Sequence, residues 1–575
     1  MSIIDRARSW IEEDPDPETR RELEALIADG DVEALEERFS GPLEFGTAGL
    51  RGLLGAGPAR LNRVTVALAT AGLCAWLKQR VAEATSRGIC VGRDARLNSD
   101  VFERDVIEVA CGAGIPVWAF ENVVPTPVLA FTVPRLRAAG AVMITASHNP
   151  PGYNGYKVYW ENGAQIIPPN DRGIADEIRR SPTADRIPRL PIDEARAKGL
   201  LREADALRDE YVERIATEMA PFSKRSERVR IAYTALHGVA EETFRRVLVR
   251  AGFEDVHSVR EQAAPDGRFP TVAFPNPEEP GAMNRVLALA RRVDADLAIA
   301  NDPDGDRVAV AVRGAAGVEQ LSGNDLGLLM ADDLLRRHRD AHNPLVISTV
   351  VSSPMLGRVA ASHGARWEQT LTGHKWIQNR ALELEKEGFT YVFGYEEALG
   401  YAPSTAVRDK DGISSALLVI DMASRLKERS ETLLDARRRL WIEHGFFTDR
   451  QVSIRFEGAD GQARMDTVVD DYRREPPATL GGQRVLRMLD LKRQLQWAPD
   501  GIVPLDGLAP SNLLIFELEG GHRAMLRPSG TEPKLKYYFY ATAPMNQKLD
   551  LASQRKEAYA VIERLIADLT HPNDC

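Results

Sequence analysis

Gly140-Ala141-Val142-Met143-Ile144-Thr145-Ala146-Ser147-His148-Asn149-Pro150 is an apolar run that ends on a hydroxyl. Gly140 to Ile144 reads as a buried strand, and Asn149-Pro150-Pro151-Gly152 is a turn signal. Ligands of α/β sheets sit off the carboxyl ends of strands, so the Ser147 loop stands where such a sheet binds. Upstream, Gly88–Val91 is a short apolar run, followed by the loop Gly92-Arg93-Asp94, a helical stretch from Ser99 to Cys111 and a strand pattern at Ile115–Phe120. This strand–helix–strand rhythm predicts a mainly parallel sheet covered by helices.

The rhythm repeats twice downstream. Arg230–Tyr233 reads as a strand, then comes the loop Leu236-His237-Gly238 and a helix through Val249, with strands at Leu297–Ala300 and Val308–Val312. A third unit runs Leu345–Val351 strand, Pro354–Ser362 helix, Trp367–Thr370 strand, His374–Glu387 helix, Thr390–Phe393 strand, then a helix from Ile413 to Arg425. The polar, proline-bearing stretch 181–228 reads as containing a linker, and residues 1–40 hold two helical patterns around Pro15 and Pro17. After about residue 445 the apolar segments become short and alternating, as in Gln451–Phe456 and Leu513–Leu518, and Lys536–Thr542 is aromatic-rich. That texture suits a smaller α+β domain with an antiparallel sheet. The fold class is therefore three similar α/β domains with mainly parallel mixed sheets, plus a smaller C-terminal α+β domain.

Composition agrees with several ordinary globular domains: 575 residues, 44% hydrophobic and 27% charged. The net charge is −10, with Lys and Arg scattered, which argues against nucleic acid as a partner but not against a small anion in a locally positive cleft. Cys74, Cys90, Cys111 and Cys575 lack metal-ligand spacing and are too few for a disulfide framework, so they read as reduced thiols of a cytoplasmic protein, three of them packed in cores. The N-terminus lacks the apolar centre of a signal peptide, and no window suits a membrane-spanning helix. Oligomeric state leaves no mark in the sequence.

Five motifs carry chemistry. The first is Ser147 itself; a serine-hydrolase reading is weak, because there is no G-x-S-x-G elbow and an adjacent His148 is not expected to turn onto its neighbour as a base. The second is Asp302-Pro303-Asp304-Gly305-Asp306-Arg307, three carboxylates at alternate positions between two apolar runs. They repel unless a cation holds them, and they suit a hard, oxygen-seeking ion such as Mg²⁺. An EF-hand would need Gly and Glu where Arg307 and Arg313 stand, so that reading fails. Arg307 is placed to offset the charge of a phosphate. The third is Arg527-Pro528-Ser529-Gly530-Thr531-Glu532-Pro533, an arginine fork, two hydroxyls and a turn able to aim backbone N–H groups at an anion. The fourth, Tyr395-Glu396-Glu397-Ala398-Leu399-Gly400, offers paired acceptors for vicinal sugar hydroxyls; the fifth, Thr372-Gly373-His374-Lys375-Trp376, offers a general acid or base.

In this order, and with Phe45-Gly46-Thr47-Ala48-Gly49-Leu50-Arg51-Gly52 before them, the motifs resemble the α-D-phosphohexomutase superfamily of phosphoglucomutases and phosphomannomutases. Tyr153-Asn154-Gly155-Tyr156-Lys157-Val158-Tyr159-Trp160, Leu236-His237-Gly238-Val239, Phe274-Pro275-Asn276-Pro277-Glu278-Glu279-Pro280 and Asp409-Lys410-Asp411-Gly412 are similar to its phosphoglucomutase-2 and phosphopentomutase branch. The resemblance implies four domains around a central cleft, each lending one loop: 1–205 with the phosphoserine, 206–322 with the metal, 323–445 with sugar recognition, 446–575 with phosphate binding. It implies that Ser147 is the phosphoserine, that Asp302, Asp304 and Asp306 hold Mg²⁺ with a phosphoserine oxygen, and that Glu396 and Glu397 read the sugar. Arg527, Ser529, Gly530 and Thr531 would bind the non-reacting phosphate, with Arg307, Thr372 and Gly373 also facing substrate. Arg51, His148, Lys157 and Lys375 match charged positions around the phosphoserine, and Lys375, His374 and Lys157 are candidates for moving the hydroxyl proton. The implied activity interconverts glucose 1-phosphate and glucose 6-phosphate through a sugar bisphosphate, which also primes the enzyme. A phosphomannomutase or phosphopentomutase is the alternative within the family. Outside it stand a metal-dependent phosphohydrolase, whose usual His-rich two-metal set is absent, and a non-catalytic sugar-phosphate binder. Tyr395, where many relatives have Gly, and His374, where this branch more often has an aromatic apolar residue, leave the sugar open.

Overall fold

The computed structural model describes residues 2–46, 49–220, 229–315, 317–457, 460–498, 500–528, 534–543 and 551–570. The chain divides into two compact units, Met1–Gly323 with His374–Glu387 and Tyr391–Thr432, and Asn324–Gly373 with Gly388–Thr390 and Leu433–Cys575.

The first unit opens with three helices, Ile3–Glu13, Pro17–Asp29 and Val32–Arg38, one more than the two patterns expected. Ala7, Leu23, Leu35 and Phe39 close them into a small core of their own with Ala56. Six strands follow: β1 (Leu50–Leu53), β2 (Ile89–Arg93), β3 (Val117–Ala119), β4 (Gly140–Ile144), β5 (Tyr153–Trp160) and β6 (Leu201–Glu203). They form one mixed sheet in the order β1-β5-β4-β2-β3-β6. β4, β2, β3 and β6 run parallel to one another, whereas β5 is antiparallel to both β4 and β1. β4 is buried along its whole length because helices pack on the sheet, Thr126–Leu136 against β2 and β4 among them.

The stretch expected to contain a linker is structured over its described residues, 181–220. It holds the short helix Ile192–Ala197, the edge strand β6 and the helix Ala206–Met219. Pro182, Pro188 and Pro191 sit outside these elements; Pro191, for instance, precedes the first helical residue, where a missing N–H costs nothing.

A second mixed sheet of the same unit contains β7 (Ile231–Thr234), β8 (Val256–Ser258), β9 (Leu297–Asn301), β10 (Val308–Gly314) and β11 (Gly317–Gln320), in the order β11-β10-β9-β7-β8. β9 and β10 pair antiparallel in the register Val308↔Asn301, so the six residues between them make a tight acidic turn. Helices Ala240–Ala251, Asn284–Val293 and Gly412–Lys427 belong to this layer, the last packing on β9 and β10. The Thr390–Glu396 strand pairs antiparallel with Gly400–Ala402 in the register Glu396↔Gly400.

In the second unit, Pro344–Thr349 and Arg366–Thr370 pair in parallel. The C-terminal part is an antiparallel sheet built on the long pair Phe446–Arg455 and Lys534–Ala543, continued by Arg523–Pro528, Leu514–Leu518 and Gln483–Asp490, with the helix Leu551–Leu569 packed on the long pair. Cys74, Cys90 and Cys111 are buried and free, as expected; Cys575 lies outside the described residues. Among the described residues, no helix is long and apolar enough to cross a membrane.

Candidate active site

Ser147 follows β4 by three residues and is 3% exposed. Its backbone N–H donates to Thr145 Oγ1 (2.8 Å), and its φ is +52°, a left-handed conformation that a non-glycine residue adopts at a cost of about 1–3 kcal/mol. Ser147 Oγ donates to Asp302 Oδ2 at 2.9 Å, joining residues 155 positions apart. The same conformation corrects one expectation. His148 does reach its neighbour, with Nδ1 3.3 Å from Ser147 Oγ, because the left-handed residue puts two successive side chains on one side of the loop. Burial and the positive neighbours Arg307 and Arg51 push the His148 pKa well below its ordinary value, so its ring is neutral.

Asp302, Asp304 and Asp306 are fully buried in the β9–β10 turn, and a ligand oxygen from each lies within 4.8 Å of the others. Gly305, at φ +73°, lets the turn close so tightly, and its N–H donates to Asp302 O (2.9 Å). The carboxylates are balanced by side chains from other elements. Lys157 Nζ, on β5, lies 2.6 Å from Asp304 Oδ2 and 3.0 Å from Asp306 Oδ2. Lys410 Nζ lies 3.2 Å from Asp306 Oδ2, and Thr126 Oγ1 donates to Asp304 Oδ2 (2.8 Å). Burial disfavours the ammonium of Lys157, but Asp304 and Asp306 outweigh it and raise its pKa. Burial likewise opposes ionisation of Asp306, yet Lys157, Lys410 and Arg307 hold it far below the usual carboxylate range. Asp302 goes the other way: burial first, then the charges of Asp304 and Asp306, push it well up. Asp304 Oδ1 and Asp306 Oδ1 are buried without a hydrogen-bond partner among the described residues. Three hard oxygen donors converging at this spacing, two of their carboxylates with an unused oxygen, fit a divalent cation such as Mg²⁺.

Arg51, on β1, reaches the serine loop through Nη1 to Asn149 Oδ1 (3.3 Å). Arg307 holds the acidic turn to the Glu396–Glu397 loop: its guanidinium donates to Ala398 O, and Val308 N–H donates to Leu399 O (3.2 Å). Glu396 ends its strand 7% exposed, and Glu397 begins the turn behind it. Tyr395 is fully buried and stacked between Phe393 (5.9 Å) and Tyr401 (6.3 Å). His374 opens the helix His374–Lys386 and is 2% exposed; Lys375 follows it, half-buried. His374 Nε2 sits 3.1 Å from Gly400 O. A carbonyl only accepts, so the proton is on Nε2 and the lone pair is on Nδ1, which has no partner among the described residues. Burial holds the ring below its ordinary pKa.

All of these belong to the first unit. Thr372, Gly373 and Arg527 belong to the second, where Arg527 sits half-buried in the Arg523–Pro528 strand. Ser529, Gly530 and Thr531 of the expected phosphate loop, and Thr47 and Ala48 of the glycine-rich run, lie outside the described residues.

Reading the sequence for charge and spacing missed Lys410 and Asp409 as members of the site. Asp409 is buried, takes Tyr159 Oη–H (2.6 Å) and Gln165 Nε2–H (2.7 Å), and stands 3.5 Å from Lys410 Nζ. The signal was the run Asp409-Lys410-Asp411-Gly412. Asp411 caps the helix Gly412–Lys427, and a Cβ at Gly412 would meet Arg307 O at 2.3 Å, so only glycine lets this helix start abut the acidic turn.

Models of the phosphoglucomutase/phosphomannomutase α/β/α domains I, II and III match residues 42–185, 209–316 and 322–440. The chain belongs to the phosphoglucomutase/phosphomannomutase family. It is 34% identical over 557 residues to a phosphopentomutase of Mus musculus, covering 93% of this chain and 89% of the relative. It is 38% identical over 488 residues to a probable phosphomannomutase of Haemophilus influenzae, covering 84% and 93%. A phosphoglucomutase/phosphomannomutase family protein from Burkholderia thailandensis shares the fold, with a TM-score of 0.65, 20% identity and coverage of 92% and 97%. This member of the family is thus an enzyme of the mutase class, built from three α/β/α domains and a further C-terminal sheet domain.

Proposed function

We propose that this family member is a phosphosugar mutase that interconverts glucose 1-phosphate and glucose 6-phosphate, with Ser147 as the phosphoryl carrier. The observation that carries the reading is the 2.9 Å contact between Ser147 Oγ and Asp302 Oδ2, at the rim of the buried acidic cluster. Phosphoserine 147 gives its group to the free hydroxyl of a sugar monophosphate: the Oγ–P bond breaks, a bond from phosphorus to the sugar oxygen forms, the hydroxyl proton leaves to a base, and Ser147 Oγ takes up a proton to become a hydroxyl again. The resulting sugar bisphosphate turns over and returns its other phosphoryl to Ser147, so that no net phosphate is consumed. Asp302, Asp304 and Asp306 would hold Mg²⁺, which supplies positive charge against the phosphoryl oxygens. A sugar 1,6-bisphosphate primes the serine.

The side chains divide the remaining work. Lys157 and Lys410 are engaged with carboxylates, which suits charge balance better than proton removal. His374 offers a lone pair at Nδ1 and suits the role of base. Arg51 and His148 flank the phosphoserine, with Lys375 beside His374. Glu396 and Glu397 read sugar hydroxyls. Arg527, Ser529, Gly530 and Thr531 bind the phosphate that does not react, and Arg307, Thr372 and Gly373 are substrate-binding residues. The division of labour follows four domains, 1–205, 206–322, 323–445 and 446–575.

A pentose or mannose phosphate is the second reading for the sugar, favoured by the identities to a phosphopentomutase and a probable phosphomannomutase. Rates with glucose, mannose, ribose and N-acetylglucosamine 1-phosphates, given Mg²⁺ and a bisphosphate primer, separate the sugars. In the same panel Ser147→Ala is inert toward every substrate while its circular dichroism matches the wild type; turnover by that variant would refute the carrier role.

A further inference from the structure

The serine loop is held from beneath by one guanidinium. Arg96 sits in the loop after β2, with its side chain fully buried. Its Nη2 donates to Ser147 O (2.6 Å) and Asn149 O (2.5 Å), and its Nη1 donates to Pro150 O and Tyr153 O, both at 3.0 Å. Four carbonyls spread over seven residues thus converge on a single cation. Asp94 faces the remaining nitrogen, with Oδ2 3.4 Å from Nε. The ring of Phe269, from the region of the second sheet, lies 5.0 Å from the guanidinium carbon. There the backbone is packed closely: a Cβ at Gly267 would meet Ala95 O at 2.5 Å.

We propose that Arg96 is the positioning residue that fixes the direction of the Ser147 hydroxyl. The proposal rests on the reading of Ser147 as the phosphoryl carrier. Ser147 is left-handed without being glycine, and such a residue keeps its conformation only when its surroundings over-determine it. The Arg96 bonds to the carbonyls of residues 147 and 149 fix the peptide planes that follow Ser147 and Asn149, and those to residues 150 and 153 anchor the loop's exit to β5. Its Nη donors are spent on carbonyls, so Arg96 acts through the backbone and not on the phosphoryl group. The planar fork is essential to this: an ammonium has three donors on one nitrogen and cannot span the same carbonyls.

The test compares wild type with Arg96→Lys and Arg96→Ala. The protein is mixed with glucose 1,6-bisphosphate and Mg²⁺, and Ser147 phosphorylation is timed by quenched-flow mass spectrometry alongside steady-state kcat and KM. Both variants are expected to phosphorylate Ser147 about 10²-fold more slowly and to lose kcat equally, with KM nearly unchanged, as for a misplaced reacting atom. Free guanidinium should restore part of the rate of Arg96→Ala, and sodium chloride at the same ionic strength should not. A purely structural arginine would lower thermal stability without this split or this rescue. Should both variants fail to fold, Phe269→Leu removes the ring that seats the guanidinium and so loosens its hold on the loop carbonyls; a several-fold slower phosphorylation supports the proposal, and the wild-type rate overturns it. Labelled wild type with an equally fast Arg96→Lys overturns the proposal alone. Wild type that takes no phosphoryl on Ser147 overturns the mutase reading, and the proposal with it.

Discussion

At the scale of single residues, the proposed mechanism separates charge balance from proton transfer. His374 illustrates the second role: its Nε2–H is committed to Gly400 O, which leaves Nδ1 as the acceptor. His374→Gln keeps a donor for that carbonyl and removes the base, so kcat should fall by about 10²–10⁴-fold with a small change in KM. Steady-state kinetics at pH 7.5 checks this, and an unchanged kcat would assign the proton elsewhere. The expected residues 147, 302, 304 and 306 were legible because a hydroxyl and three carboxylates stand at the ends of apolar runs. Lys410 was not, because a lysine beside two aspartates in a polar run gives no local sign that it is buried on a carboxylate from another element.

At the scale of elements, loops are placed by close backbone contacts. Gly238 follows β7, and a Cβ added there would meet Pro303 Cα at 2.4 Å, inside the acidic turn. Gly238→Ala should therefore push Asp302 and Asp304 out of register, costing about 1–3 kcal/mol of stability and about 10²-fold in kcat, read by urea unfolding and kinetics. A variant with normal kcat would show that the turn tolerates the shift. The helix Ser99–Gly112 docks on β2 through Arg93 Nε and Glu103 Oε2 at 2.8 Å. Burial raises the Glu103 pKa from 4.5 to about 7 despite Arg93. The folded state thus holds this proton more tightly than the unfolded chain. Its contribution is complete below pH 4.5 and is lost as pH rises through 7, by up to about 3 kcal/mol. Glu103→Gln should remove that slope; urea midpoints for both proteins at pH 5 and pH 8 measure it, and parallel pH profiles would contradict it.

Periodicity found the aliphatic strands β2, β4, β9 and β10, whose residues face helices. It missed β5 and β6 for different reasons. β5 carries Asn154, Gly155 and Lys157 among tyrosines, and its buried polar groups are satisfied by distant partners: Tyr156 Oη by Thr70 (3.1 Å), Tyr159 Oη by Asp409 (2.6 Å), Lys157 by the acidic cluster. β6 is a three-residue edge strand, too short and too exposed to alternate visibly.

At the scale of the whole molecule, residues far apart in sequence share the acidic cluster, from Lys157 on the first sheet to Lys410 before the helix Gly412–Lys427. A cation bound there should brace the folded state by mass action, about 2.7 kcal/mol at a hundredfold excess over its dissociation constant. Thermal unfolding in Mg²⁺ against EDTA should show this shift in wild type and not in Asp304→Asn. Lys157→Met should unfold earlier in EDTA, by about 3–5 kcal/mol, because it strips a buried partner from Asp304 and Asp306. Its Mg²⁺ shift should then exceed that of wild type, and an equal shift would mean that the lysine and the metal do not share the carboxylates.

As the proposed carrier, Ser147 lends and reclaims a phosphoryl group. Protein incubated with glucose 1,6-bisphosphate and Mg²⁺, freed of ligand and digested, should yield a peptide bearing one phosphoryl on Ser147, and adding glucose 1-phosphate or glucose 6-phosphate should discharge it into bisphosphate. A protein that turns over sugar phosphate with Ser147 unmodified throughout, or with the label on another residue, would contradict it.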